Sequence, residues 1–319
     1  MTFFIIQLAP GNPVSLKIQQ LGGEGIRSET ISRDVIEQTQ KLYGLDKPFH
    51  VQYALWLKRV VTLDFGESYK DHRPVMTKIK EALPVTLLLN ILSIFLIYLI
   101  SIPLGIYSAV VQDRQNTWGM KIDQVLTFFL FILYSLPSFW VAMMLIIYLA
   151  GGEYLNLFPV VGIVSPGFET LTLFQKVGNV VWHLILPLVV LTYGGFAFVS
   201  RFSRAQVLEV IRQDYIRTAR AKGLSERTVI YKHALRNALI PMLTLMSTLL
   251  PALIGGSVII EQIFSIPGMG KLSFEAVLSR DYPTIMAIAA IEAMLTLVSI
   301  LISDLLYVAV DPRITFEKA

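Results

Sequence analysis

The four histidines, His50, His72, His183 and His233, stand far apart, with no pair at i, i+3 or i, i+4 spacing. Two imidazoles must share one helix face to grip a metal ion from a helix, as in an H-E-x-x-H segment, so these read as surface or interface residues. Cysteine is absent, which removes disulfides, thiolate metal sites and thiol nucleophiles together. No G-x-S-x-G elbow presents a nucleophilic serine. Gly270-Lys271 is followed by leucine and lacks the glycine spacing that cradles phosphates, so the chain shows no nucleotide site of its own. The pattern is that of a chain that is not an enzyme.

Two sets of residues remain. Glu292 is a carboxylate inside a long apolar run, and ionisable groups in such runs mark ion or ligand pathways or pair with a neighbouring helix. Both readings stand. Asp304 lies about three turns later, towards the end of the same run. The second set is basic. Between Arg201 and Arg236 nine lysines and arginines face three acids, Glu209, Asp214 and Glu226. Val207, Ile211, Tyr215 and Ala219 recur every four residues, a helical stripe. Gly223 is a helix stop, and Ser225-Glu226-Arg227-Thr228 resembles a helix start. The segment therefore reads as a short helix, a glycine break and a second short helix. Its chemistry fits a basic helix on lipid headgroups or a docking helix for another protein.

What positions these residues is a set of apolar runs. Of the 319 residues 54% are hydrophobic and 16% charged, against about 25% charged in soluble domains. Runs 82–112, 124–152, 177–200 and 237–260 contain no Asp, Glu, Lys or Arg, and 282–303 contains Glu292 alone. A helix needs about 20 such residues to cross a bilayer. Five in one chain of this length exclude a soluble core and point to an all-α, polytopic membrane bundle. Met1 to Ala9 is apolar but too short to span, and Pro10-Gly11-Asn12-Pro13 ends it; it reads as the second half of a first helix whose beginning would lie upstream. That makes six transmembrane helices, the first truncated.

The basic loop, 206–236, fixes the expected orientation, because short Lys/Arg-rich loops stay cytoplasmic. Counting outward, 112–123 and the tail 311–319 are then cytoplasmic, while 10–81, 151–176 and 261–281 face outside. The organisation is a partial helix at 1–9, an extracytoplasmic segment at 10–81, a transmembrane body at 82–310 and the short tail. Pro103, Pro137, Pro187 and Pro251 all fall within spans, where each removes a backbone hydrogen bond and permits a bend.

The segment Asp214-Tyr215-Ile216-Arg217-Thr218-Ala219-Arg220-Ala221-Lys222-Gly223-Leu224, followed by His233-Ala234-Leu235-Arg236-Asn237-Ala238-Leu239-Ile240-Pro241, resembles the coupling loop of ABC importer permeases. The broad signature is E-A-A-x-x-x-G. Here Arg217-Thr218-Ala219 stands in its place with Gly223 in register, so the glutamate is absent. The R-T-A-x-A-K-G form resembles the peptide and nickel branch. Leu8 to Pro13, Tyr43 to Pro48, Asp64 to Ser68, Arg73-Pro74-Val75, Leu83 to Leu87, Phe264 to Gly270, Asp281-Tyr282-Pro283, Asp304 to Tyr307 and Asp311-Pro312-Arg313 resemble other parts of that branch, in order, over nearly the whole chain. The long outer segment resembles that of the B-type subunit of dipeptide and oligopeptide importers.

The resemblance implies a binding-protein-dependent permease of a bacterial or archaeal cytoplasmic (inner) membrane, moving peptides by alternating access. Nickel complexes, glutathione or oligosaccharides are alternative cargoes of the same architecture, and a self-sufficient proton-coupled carrier using Glu292 is a rival of another class. The implied partners are a second homologous permease, two cytoplasmic ABC ATPases holding ATP and Mg, an extracytoplasmic substrate-binding protein and the lipid bilayer, with no nucleic acid and no cofactor or metal on this chain. Asp214, Tyr215, Arg217, Thr218, Ala219, Ala221, Lys222, Gly223 and Leu224 would dock on an ATPase, with Ala219 allowing close approach. Asn90, Ser135, Thr192, Thr244 and Glu292 are candidates for the translocation path, beside Ser93 and Ser138.

Overall fold

The computed structural model describes residues 47–114, 117–151, 154–249, 253 and 255–310. The expected half-helix at 1–9, the outer segment up to residue 46, Pro251 and the tail 311–319 lie outside them. Ten helices are used below: α1 Phe49–Thr62, α2 Val75–Asp113, α3 Thr117–Ser135, α4 Ser138–Leu145, α5 Leu173–Ile211, α6 Asp214–Ala221, α7 Leu235–Thr248, α8 Val258–Ile263, α9 Met269–Leu278 and α10 Tyr282–Val310. A wider π turn, Ile146–Ala150, extends α4, and Glu226–Thr228 with a second π turn, Val229–Ala234, leads into α7. The described residues contain no β-strand.

Three of these helices, α2, α5 and α10, are long and apolar enough to cross a membrane. The run expected as one span at 124–152 is instead two helices, α3 and α4, bent by 95°. Pro137 is the cause: it has no N–H to continue the ladder and holds Leu136 away from helical backbone, so it caps α4. Pro103 and Pro187, by contrast, sit inside α2 and α5 without ending them. The run at 237–260 is also divided. α7 stops at Thr248 and α8 starts only at Val258, with Gly256 in the left-handed region at φ +61° between them.

The bundle is built on α2 against α5. Small residues mark their contact: Gly105 of α2 lies against Ser200 and Ser203 of α5, and Ser101 of α2 faces Phe196. A Cβ at Gly105 would lie 2.4 Å from Ser203 Cβ, and one at Gly195 2.5 Å from Ile97 Cδ1. Such helices associate by close backbone approach, because lipid tails offer no hydrophobic drive to bring them together. Hydroxyls reinforce the contact: Ser101 donates to Phe196 O and Ser203 to Ile102 O, each at 3.4 Å.

At the Val75 end, two buried carboxylates clasp the loops. Asp281 is fully buried and accepts from Ser68 Oγ, from Tyr69 N–H at 2.9 Å and from Thr284 Oγ1 at 2.6 Å, which ties the 63–74 segment to the start of α10. Lys78 stands 3.8 Å from it and 3.0 Å from Asp71. Burial opposes ionisation of Asp71, but hydrogen bonds led by Lys78 outweigh it and hold this carboxyl below its usual range. Glu261 is the second clasp. It accepts from Thr86 Oγ1 on α2 at 3.0 Å and from Lys271 N–H at 2.8 Å, while Thr86 accepts Met269 N–H at 2.7 Å. Gly256 and Gly268 leave it room, since a Cβ on either would meet its carboxylate at 2.6 Å. His183, read as a surface or interface residue, is buried; its Nδ1 lies 2.8 Å from Asn179 O and Asn179 bonds Ser165.

Gly105→Val should therefore separate α2 from α5 at the cost of an overpacked core contact, about 1–3 kcal/mol. The thermal midpoint of the detergent-purified protein should fall clearly, while Gly178→Ala, where a Cβ meets nothing within 4 Å, should leave it nearly unchanged.

Candidate functional site

The basic loop is the most built feature away from the bundle core. α6 is only eight residues long, too short to hold itself in water. It is held because Ile216 and Ala219 are buried in a cluster with Ile106 and Ala109 of α2, Val207 and Ile211 of α5, and Val229, Ile230, Ala234 and Ala238 on the way into α7. The loop thus sits across the Asp113 end of three helices at once.

The expected stripe Val207, Ile211, Tyr215, Ala219 is corrected at one position. α5 ends at Ile211 and α6 begins at Asp214 after an extended Gln213, so the phase shifts by one residue. Ile216 takes the buried place, and Tyr215 turns outward, 42% exposed, its hydroxyl accepting from Asn237 Nδ2 at 2.7 Å. Ala219 faces the chain's own core rather than a docking partner. Asp214, Tyr215, Arg217, Thr218, Ala221, Lys222, Gly223 and Leu224 all remain exposed.

Gly223 ends α6 with φ +76°, and its N–H donates to Arg220 O at 2.9 Å, the turn that glycine takes without a Cβ penalty. Ser225 caps the next helix by accepting Thr228 N–H at 3.4 Å. That helix is not short: it runs through the π turn into α7, so the second arm of the loop is the beginning of a long rod.

Arg220 was not among the expected site residues, and it organises the loop. Its guanidinium donates to Asp113 at 2.7 Å, at the end of α2, and to Glu226 at 2.9 Å, beyond the glycine break. Arg114 approaches Glu226 at 3.8 Å. Burial alone would lower the Arg220 pKa, but the hydrogen bonds it donates to these two carboxylates raise it, so the guanidinium stays charged. The signal available in the sequence was the pair of acids, Asp113 closing an apolar run and Glu226 six residues after Arg220. A neighbouring buried pair joins α3 to α5: Arg204 lies 3.2 Å from Asp123, which also accepts from Ser108, and 2.9 Å from Gln112.

The candidate path residues scatter. Asn90 Nδ2 donates to Leu253 O at 2.7 Å, and Ser135 is exposed at the α3–α4 bend. Thr244 is half-buried on α7. Thr192 is corrected: it is buried in α5 with its hydroxyl returned to Leu188 O at 2.7 Å, so it lines no passage in this structure. Ser93 is likewise buried and bonded to Leu89 O. Glu292 is half-buried, ten residues into α10.

A family described as "Binding-protein-dependent transport system inner membrane component" matches residues 101–316. The chain is 42% identical over 317 residues to the oligopeptide transport system permease protein AppB of Bacillus subtilis (strain 168), covering 99% of this chain and 93% of that protein. It is 36% identical to the inner membrane ABC transporter permease protein YejB of Escherichia coli O157:H7, with 99% and 94% covered. Inward-facing structures of the MetNI methionine ABC transporter share the fold, with a TM-score of 0.56 at 18% identity over 74% of this chain and 97% of that one.

Removing the clamp should loosen the loop without unfolding the bundle. With Arg220→Ala, hydrogen–deuterium exchange of amides 214–228 should rise roughly fivefold, as expected for ~1 kcal/mol of lost local interaction, while amides of α2 near Gly105 stay protected.

Proposed function

The chain belongs to the binding-protein-dependent transport system inner membrane components, and from that premise we propose that it carries di- and oligopeptides inward, driven through α6 by separate ATPase subunits. It is a multi-pass inner-membrane protein and a permease subunit of the ABC importer class. The oligopeptide name of its B. subtilis relative supports the choice of cargo. The observation that carries the coupling step is the seating of α6 on the ends of α2, α5 and α7, with its polar face left exposed.

In this reading ATP and Mg are held by two partner ATPases, and this chain supplies no catalytic group. Asp214, Tyr215, Arg217, Thr218, Ala221, Lys222 and Leu224 form the surface offered to a groove on one ATPase. A push on that surface reaches Ile216 and Ala219, and through them the apolar cluster that joins α2, α5 and α7. Arg220 shares the load between Asp113 and Glu226, on either side of the glycine break. A second, homologous permease would complete the pathway, and an extracytoplasmic binding protein would deliver peptide at the Asp281 and Glu261 end. Asn90, Ser135, Thr244 and Glu292 are proposed to line the route.

Two measurements test this. Affinity purification in mild detergent should recover a second permease and ATPases with Walker motifs; recovery of this chain alone, under conditions that keep related complexes intact, would overturn the reading. Gly223→Val forces a β-branched residue into the left-handed region, at about 1–2 kcal/mol. It should leave the complex assembled and cut peptide uptake by roughly tenfold while ATP hydrolysis continues, and unchanged uptake per ATP would remove the coupling role from this loop.

A further inference from the structure

Glu292 lies ten residues after the start of α10, about 15 Å along the axis of a helix long and apolar enough to cross a membrane. Among the described residues no hydrogen bond or ion pair reaches its carboxylate. Every other buried carboxylate described above, Asp123, Glu261 and Asp281, has two or more donors inside this chain. Glu292 is the exception, within a helix where an unpaired charge is costly.

Its face on the helix shows where it looks. At 100° per residue, Glu292, Thr296, Ser299 and Ser303 fall on one stripe. Thr296 and Ser303 are partly covered and Ser299 is buried. The opposite stripe, Met294, Leu297, Leu301 and Leu305, is large, apolar and exposed, which suits lipid. Glu292 therefore belongs to the sheltered polar side and not to the lipid side. With no partner among the described residues, a carboxylate there calls for water or a cation beside it.

We propose that Glu292 is the cation subsite of the translocation path and receives the N-terminal ammonium of the peptide in transit. This rests on the peptide-importer reading given above. Peptides of any sequence share one positive group, the ammonium, so one fixed carboxylate serves cargo of different side chains. The partly covered hydroxyls of Thr296 and Ser303 continue the stripe and can exchange hydrogen bonds with a peptide backbone as it passes. A single carboxylate, without a second fixed acceptor opposite it, holds the ammonium weakly enough to release it.

The chain has no cysteine, so Glu292→Cys and Leu297→Cys each introduce one thiol whose modification can be read on this chain by mass spectrometry. In the assembled complex in proteoliposomes, a water-soluble, charged methanethiosulfonate should label Glu292→Cys and leave Leu297→Cys unlabelled. Peptide-loaded binding protein with ATP should slow that labelling. Glu292→Gln should import trialanine roughly tenfold more slowly, the loss of one charge-assisted bond, and Glu292→Asp should recover most of the rate. Three results would overturn the proposal: labelling of Glu292→Cys no faster than Leu297→Cys, import by Glu292→Gln at the wild-type rate, or loss of the second permease from the Glu292→Gln complex, which would make the carboxylate an intersubunit contact. A wild-type complex that imports no peptide at all would instead overturn the cargo reading beneath it.

Discussion

The close approach of α2 to α5 at Gly105 and Ser203 governs the rest of the molecule. Both helices are 39 residues long, and each reaches from the loops at one end to the basic loop at the other. With no room for one added carbon between them, they cannot slide or separate a little; packed interiors shift between discrete arrangements. Displacement at one end of this pair is therefore carried along its length. The small residues at the contact are what permit this in a bilayer, where a leucine-lined surface would gain nothing by leaving lipid for protein.

The two ends of that pair are fastened by different chemistry. At the Val75 end, Asp281 and Glu261 are buried, and backbone N–H groups and hydroxyls satisfy them. Buried networks of this kind are rigid because every broken bond leaves an unpaired polar atom in low dielectric. At the Asp113 end the clamp is Arg220, whose side chain is about a third exposed, with Glu226 more open still. Solvent competes for such pairs and each is worth little by itself. The outer clasp resists rearrangement, while the pairs under the basic loop can be remade at small cost. That asymmetry suits the proposed coupling role of the loop.

Much of this was legible in the sequence. The long apolar runs located α2, α5 and α10, since a span is written in about twenty consecutive residues. The glycine at position 223 and the serine at 225 located the break in the basic loop through purely local preferences. What failed were statements of phase and of distance. Tyr215 stood on the expected stripe until the break at Gln213 moved the register, and Pro137 acted on a run whose composition alone could not say whether it would kink or break. Thr192 has the right polarity for a pathway, yet an in-helix bond to Leu188 and burial against neighbours decided its place. Arg220 with Asp113 is a contact across 107 residues, and no local pattern carries that. The Gly105–Ser203 contact was missed likewise: small residues are unremarkable until the facing helix is known.

In the proposed coupling role, work enters through an exposed surface of this chain. α6 suits that role because so little of its stability is its own. A freestanding eight-residue helix would melt under load; this one is an extension of a cluster that includes three longer helices, so it moves only if they do. Gly223 then permits the chain to turn sharply enough for the second arm to run directly into α7, with no slack linker between the exposed surface and the span. A flexible loop of the same length would dissipate a push as local disorder. The same basic residues on a detached amphipathic helix would serve a lipid surface equally well, and the difference lies in Ile216, Ala219 and Arg220, which bind the helix inward and not to the bilayer.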